Sequence, residues 1–175
     1  LFYSQDLCPT DAQLSFSKEE SRHIAKVLRK QIGDILHLTN GKGDLFTATL
    51  LSNDPKCCLV AIANVEQKKP LPYGLHLAIS PTKLNDRFEW FLEKATEIGI
   101  TQITPILCQH SERKIIKPLR YQKIILSAAK QSLKYHFPEL HPMCSFKDFL
   151  EKQEDAPHQK LIAHCQGIEK KSLKS

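Results

Sequence analysis

The hydrophobic pattern changes rhythm once along the chain, close to residue 70. Before that point Ile35-Leu36-His37-Leu38-Thr39 alternates apolar and polar positions as a half-buried strand does, Leu45 to Leu51 returns as a second strand, and Cys57 to Val65 is a third. Asn40-Gly41-Lys42-Gly43 and Asn53-Asp54-Pro55 separate these runs with residues that tolerate positive φ or fix a turn. Ahead of them Ser17-Lys18-Glu19-Glu20 has the form of a capping box, in which the serine and the last glutamate satisfy each other's free backbone donors. The helix it opens is expected to turn Ile24, Val27 and Leu28 inward and to stop at Gly33-Asp34. Short strands at this spacing predict a small β-barrel over residues 1–69.

Glu66-Gln67-Lys68-Lys69-Pro70-Leu71-Pro72 carries no core periodicity and is stiffened by proline, so it is expected to link two domains. Beyond it strands and helices alternate. Leu75 to Ser80 is an apolar strand, and Asp86 is placed to cap a helix whose Phe88, Phe91, Leu92 and Ala95 share one face before Gly99 stops it. Ile100 to Leu107 is the next strand, with Pro105 weakening its far end. Pro118 suits the first turn of a helix that presents Tyr121, Ile124, Ile125, Ala128 and Ser132 together. Phe146 to Leu150 reads as a short helix and Lys160 to Cys165 as a third strand. The fold class is therefore α/β with an N-terminal β-barrel, the parallel α/β part spanning 73–175. Open parallel sheets bind ligands beyond the carboxyl ends of their strands, which directs attention to Gln109-His110-Ser111-Glu112-Arg113-Lys114.

Charge sharpens that picture. The net charge is +6, and residues 113–134 hold seven cations (Arg113, Lys114, Lys117, Arg120, Lys123, Lys130, Lys134) with no acid among them. Such a block attracts polyanions, although a solvated helix face accounts for it equally well on charge alone. Arg22, Lys26, Arg29 and Lys30 form a second cationic group on the first helix. The cysteines lack C-x-x-C spacing and the histidines are scattered, so the pattern predicts reduced thiols and no metal. No apolar run approaches the roughly 20 residues of a membrane helix, and Leu1-Phe2-Tyr3-Ser4-Gln5-Asp6 lacks the form of a secretory signal. A cytoplasmic protein without membrane partners is expected.

Specific strings then carry a resemblance. Arg22-His23 with Val27-Leu28-Arg29, Gly33-Asp34 and Asn40-Gly41-Lys42-Gly43 come first in the chain. Pro81-Thr82-Lys83 and Glu93-Lys94-Ala95-Thr96-Glu97-Ile98-Gly99 follow, then Ser111-Glu112-Arg113-Lys114, Arg120-Tyr121-Gln122-Lys123-Ile124 and Ala128 with Gln131-Ser132-Leu133-Lys134 and Pro138. In this order and spacing they resemble the RsmE family of ribosomal RNA small subunit methyltransferases. The resemblance implies a PUA-like RNA-binding barrel followed by a SPOUT-type α/β domain. It implies transfer of a methyl group from S-adenosylmethionine to N3 of one uridine in 16S ribosomal RNA, free or in the small ribosomal subunit, by a homodimer. It also implies a glycine-rich donor loop in a C-terminal knot. That loop would follow Ser175, so the knot region is missing from this chain and no cofactor-binding residue is assigned.

Methylating uridine N3 requires an available nitrogen lone pair, hydrogen bonds to the flanking carbonyls and a cation for the developing charge. Arg113, Lys134 and Gln131 are assigned to this catalytic work, with Lys134 standing where many relatives have arginine. RNA contact is assigned to Arg22, Lys26, Arg29, Lys30, Lys114, Lys117, Arg120, Lys123 and Lys130. Glu112 is expected to pair with Arg113 or Lys114, Glu97 with Lys94 or Arg87, and Trp90 to lie in an interface. Two other readings compete. A non-catalytic RNA-binding and dimerisation module fits a chain without a donor loop, while a metabolic α/β enzyme is disfavoured because no G-x-G-x-x-G follows the first strand.

Overall fold

A computed structural model of the chain describes residues 1–153 and 159–163. The first half is one mixed sheet built from β1 (Phe2–Tyr3), β2 (Gln13–Ser15), β3 (Ile35–Thr39), β4 (Asp44–Ser52) and β5 (Leu59–Gln67), in the order β1-β3-β4-β5-β2. Only β1 runs parallel to its neighbour; the other pairings are antiparallel. Register breaks at Thr47/Ala48, where β5 carries the extra residue, and at Leu50/Ser52, where β4 does, let both strands bend, and the sheet curves into a PUA-like half-barrel. Phe46, Ala48 and Leu50 alternate into its core with Leu36, Leu38 and Val60, and Ile24 and Phe16 are buried in the same cluster.

The first helix departs from its pattern. Ser17 caps α1 (Lys18–Arg22) through its Oγ, which accepts from Glu20 N at 3.3 Å, but the Glu20 carboxylate is held by Lys130 rather than returning to the cap. From His23 to Val27 the backbone widens into a π turn, and Leu28 N donates to His23 O at 2.9 Å. One inserted residue rotates everything beyond it by about 100° relative to an α-helix. Ile24 therefore stays buried while Val27 and Leu28 face solvent, 65% and 45% exposed, against expectation. The helical run is over by Leu28, and Gly33 serves instead as a left-handed turn that docks on Leu50 O. Ser21, buried, donates to Phe16 O and accepts from Cys58 N, which secures this segment to the sheet.

The second half is a parallel sheet of β6 (His76–Ile79), β7 (Gln102–Leu107), β8 (Glu139–Leu140) and β9 (Cys144–Ser145), with β7 central. Helices α2 (Asn85–Ile98) and α3 (Pro118–Gln131) cover one face, Phe88, Leu92, Ala95, Tyr121 and Ile125 sharing a core with Ile103 of β7. On the opposite face His76 bonds Thr104 Oγ1 at 2.7 Å and meets Phe149 of α4 (Phe146–Lys152) edge-on. This is a SPOUT-type α/β arrangement.

Three sequence expectations need correction here. Leu84, not Asp86, is the cap position of α2, and Asp86 lies in the first turn, where its charge suits the helix dipole. Pro105 does not weaken β7. His141 N donates to Ile103 O, so the odd-numbered residues of β7 turn their backbone groups toward β8 and β9; Pro105 falls between Ile103, where β8 stops, and Ile106, where β9 starts. Its missing N–H has no ladder partner to lose. Finally, the third strand is Glu139–Leu140, too short to display a period, whereas Lys160 to Ala163 are exposed and without regular structure. His164 and Cys165, the rest of that expected strand, lie outside the described residues.

The two halves meet at the Asn40–Gly43 turn. Lys42 bridges His136, with Gly43 N donating to Tyr135 O and Phe137 N to Gly41 O, both at 2.9 Å. Tyr3 stacks on Phe137 with ring centroids 5.0 Å apart, and Lys130 reaches Glu20 at 2.7 Å.

Candidate RNA-modifying site

The carboxyl ends of β6 and β7 open into a cavity of about 520 Å³ lined by Ser80, Pro81, Thr82, Lys83, Leu84, Arg87, His110, Ser111 and Glu112. It lies where an open parallel sheet is expected to receive its ligand. Ser80 and Ser111 share a 2.7 Å hydroxyl contact across the two strand ends, and Ser111 Oγ also accepts from Cys108 N at 2.8 Å. Arg113 clasps the rim: its Nε donates to Thr82 O at 3.0 Å and its Nη2 to Lys83 O at 2.6 Å. Those acceptors are neutral, so the guanidinium keeps its charge beside the cavity. Glu112 is paired by Lys83 at 3.4 Å, not by Arg113 or Lys114 as expected, because Arg113 is turned toward the β6 loop. Tyr121, behind the rim, donates to Asn85 Oδ1 at 3.0 Å; burial pushes its phenol up, with Arg113 opposing.

The expected site residues separate into two groups. α2 and α3 run side by side, Asn85 meeting Tyr121 and Glu89 meeting Arg120 near their starts, and Gly99 approaching Lys134 at their ends. Each helix has 14 residues, which at 1.5 Å per residue puts about 20 Å between the sheet edge holding Arg113 and the edge holding Gln131 and Lys134. The structure thus brings Arg113 to the cavity and leaves Gln131 and Lys134 at the far edge. Lys134 Nζ stands 3.9 Å from the position of a β-carbon on Gly99, over the carbonyl end of α2, where a cation is favoured by the dipole.

The cationic residues divide further by partner. Lys130 is engaged by Glu20 and Lys30 by Asp34 at 3.7 Å. Arg120 grips Glu89 with Nη2 to Oε2 at 2.8 Å and Nε to Oε1 at 2.6 Å, the second contact ionic but off the hydrogen-bonding direction. The Glu89 carboxylate, by hydrogen bond and charge, raises the Arg120 pKa above its ordinary value, and the pair ties the guanidinium to α2. Arg22, Lys26, Arg29, Lys114, Lys117 and Lys123 are exposed and have no acidic partner among the described residues. Glu97 pairs with Lys94 at 3.0 Å as anticipated, and Trp90 is 63% exposed. Lys83 and Arg87, which line the cavity, were not singled out as site residues, although the carboxyl-edge rule points to the loop after β6 as directly as to the loop after β7.

The RNA methyltransferase domain model matches residues 69–175, and the RNA methyltransferase PUA domain model matches residues 16–62. The chain belongs to the RNA methyltransferase family. Its relatives include Ribosomal RNA small subunit methyltransferase E of Buchnera aphidicola, 29% identical over 73% of this chain and 53% of that protein. The protein of the same name from Bacillus subtilis is 30% identical over 81% of this chain and 57% of its own length. The crystal structure of Ribosomal RNA small subunit methyltransferase E from Neisseria gonorrhoeae, bound to S-adenosyl methionine, superposes with a TM-score of 0.77 at 25% identity, over 86% of this chain and 64% of that one. These place the chain with the RsmE group. It spans about half the length of the curated relatives it matches. Among the described residues no helix is long and apolar enough to cross a membrane, and no cluster of His, Cys, Asp or Glu could hold a metal.

Proposed function

We propose that the protein methylates N3 of a specific uridine in 16S ribosomal RNA using S-adenosylmethionine, and that it works as a homodimer on RNA or the small ribosomal subunit. The observation that carries the reading is the pair of family matches, a PUA model then a methyltransferase model, in the order of the two folded halves. The division at residues 70–72, with units of 1–69 and 73–175, belongs to the same proposal and is supported by each half having its own core.

S-adenosylmethionine supplies the methyl group when bound. Among the described residues the strand ends that frame the cavity, Ser80 to Lys83 and Cys108 to Glu112, contain no glycine to let backbone approach such a ligand, so no donor-binding role is given to them. What these residues can do is receive the base. The cavity admits an unstacked nucleotide, the Ser80–Ser111 hydroxyls can hydrogen-bond its carbonyl edges, and Arg87 adds positive potential for the nitrogen losing its proton, while Lys83 is paired with Glu112. Arg113 acts as a positioning residue, holding the Thr82–Lys83 backbone so that the rim keeps its shape. Gln131 and Lys134, at the far edge, serve RNA contact rather than the reacting base, alongside Arg22, Lys26, Arg29, Lys114, Lys117 and Lys123.

Incubating the protein with small ribosomal subunits and methyl-labelled S-adenosylmethionine tests the assignment. Label on N3 of one uridine, reduced by Arg113→Lys because a lysine cannot make the two-carbonyl fork, is the expected outcome. Label on a ribose or on another base contradicts it.

A further inference from the structure

A second cavity, of about 340 Å³, lies at the junction of the halves, on the sheet edge away from Arg113. One wall is Lys68, Lys69 and Leu71; the other is Leu133, Lys134 and Tyr135. No acid lines it, and neither Lys69 nor Lys134 has an acidic partner among the described residues. Lys68 is different: Glu66 holds it at 2.6 Å, and its amine lies 5.8 Å from the Tyr135 ring centre. The cavity therefore combines two ammonium groups that lack an acidic partner among the described residues with exposed apolar side chains, Leu71 at 45% and Leu133 at 58%.

Leu133 supplies an independent clue. Lys134 N returns to Ala129 O at 2.9 Å, closing the end of α3 through a left-handed residue, and that residue is Leu133 with φ 52. Helix α2 ends in the same way with Gly99 at φ 88. A branched, solvent-exposed leucine in the position that favours glycine is strained and gains little from burial. Strain kept without a packing reason, at the mouth of a cationic cavity, is what a ligand-contacting position shows.

We infer that this junction cavity binds one nucleotide of a single-stranded RNA segment, the phosphate on Lys69 and Lys134 and the base against Leu71 and Leu133. The inference rests on the RNA-modifying reading and extends it: the bound nucleotide lies about 20 Å from the carboxyl-edge cavity, the length of α3, so the RNA is held at a second point away from the modified base. Because the end of the barrel with the linker forms one wall and the α/β unit the other, the site also fixes how the RNA crosses from one half to the other. Lysine suits this task as a point charge on phosphate, and the apolar walls accept any base face, so the contact selects single strands rather than a sequence.

Two measurements test it on the same chain. In nuclear magnetic resonance titrations, uridine 5′-monophosphate should shift the amides of Lys69, Leu71, Leu133 and Tyr135, and inorganic phosphate should shift them much less. In anisotropy titrations with a short labelled single-stranded RNA, Lys69→Gln should weaken binding about fivefold near physiological salt and flatten the salt dependence by about one ion; Leu133→Gly should weaken it without changing the salt dependence. The Arg22→Ala/Arg29→Ala double variant reports on RNA binding by the first helix separately. If that variant loses affinity while Lys69→Gln and the monophosphate have no effect, the cavity assignment is overturned and the RNA reading stands. Equal shifts from phosphate and monophosphate overturn nucleotide recognition. No binding of RNA by the unaltered chain overturns both.

Discussion

Gly43 offers the sharpest test of how the two halves are joined. Its φ is +105, and a β-carbon there would come within 2.5 Å of His136 Cε1, 2.8 Å of His136 Nε2 and 2.8 Å of Gln67 Nε2. The glutamine end can swing away. The imidazole cannot move freely, because its Nε2 hydrogen-bonds Lys68 O at 2.8 Å and its backbone forms the bridge to Lys42. Gly43→Ala therefore combines backbone strain of about 1–3 kcal/mol with loss of a hydrogen bond of about 1 kcal/mol, together about 2–4 kcal/mol. For a chain of this size that is a fall in melting temperature of roughly 4–16 °C. Gly33 is the control: its φ is +94, but nothing lies within 4 Å of an added β-carbon, so Gly33→Ala carries the strain alone. Thermal and urea unfolding of the two variants in parallel should place Gly43→Ala clearly below Gly33→Ala. Equal destabilisation would refute the claim that the glycine turn is clamped against His136.

Leu133 and His76 each give a further measurable outcome. Leu133→Gly should raise stability by about 0.5–1 kcal/mol, relief of left-handed strain exceeding the added freedom of the unfolded chain, as measured by urea midpoint; a loss of stability would mean that the exposed leucine packs in the fold. His76 should make stability pH-dependent: burial and the neighbouring His141 hold its pKa below the ordinary value, so the unfolded chain takes up its proton first. Stability is then complete above about pH 6.5, the unfolded value, and declines as pH falls below it. His76→Gln should flatten that decline in melting temperature, and an unchanged profile would remove His76 from the account.

Much of this architecture was legible from residue order because the barrel strands and the two long helices each repeat a period several times. Phe46, Ala48 and Leu50 in β4, or Phe88, Leu92 and Ala95 in α2, leave one solution for which face is buried. Features set by a single residue or by a distant partner were not legible. The π turn after Arg22 adds one residue and sends Val27 and Leu28 outward, and no local signal separates it from an α-helix. β8 is defined by two backbone hydrogen bonds from Glu139 and His141, so composition says nothing of it. At the site, charge counting treated every cation alike, whereas Glu20, Asp34 and Glu89 engage Lys130, Lys30 and Arg120. Closeness in sequence also misled: Arg113 and Lys134 bracket one helix and so stand at its two ends. The double glycine of the Asn40–Gly43 turn was visible, but its second use, as the seat for His136 and Phe137, depends on residues far along the chain.

Methylation of uridine N3 is open to measurement in the cell that carries the protein. Its gene is deleted, 16S ribosomal RNA is digested to nucleosides, and N3-methyluridine is quantified by mass spectrometry, with and without the gene restored. The account predicts that the modified nucleoside disappears on deletion and returns on restoration. An undiminished amount in the deletion strain would contradict it.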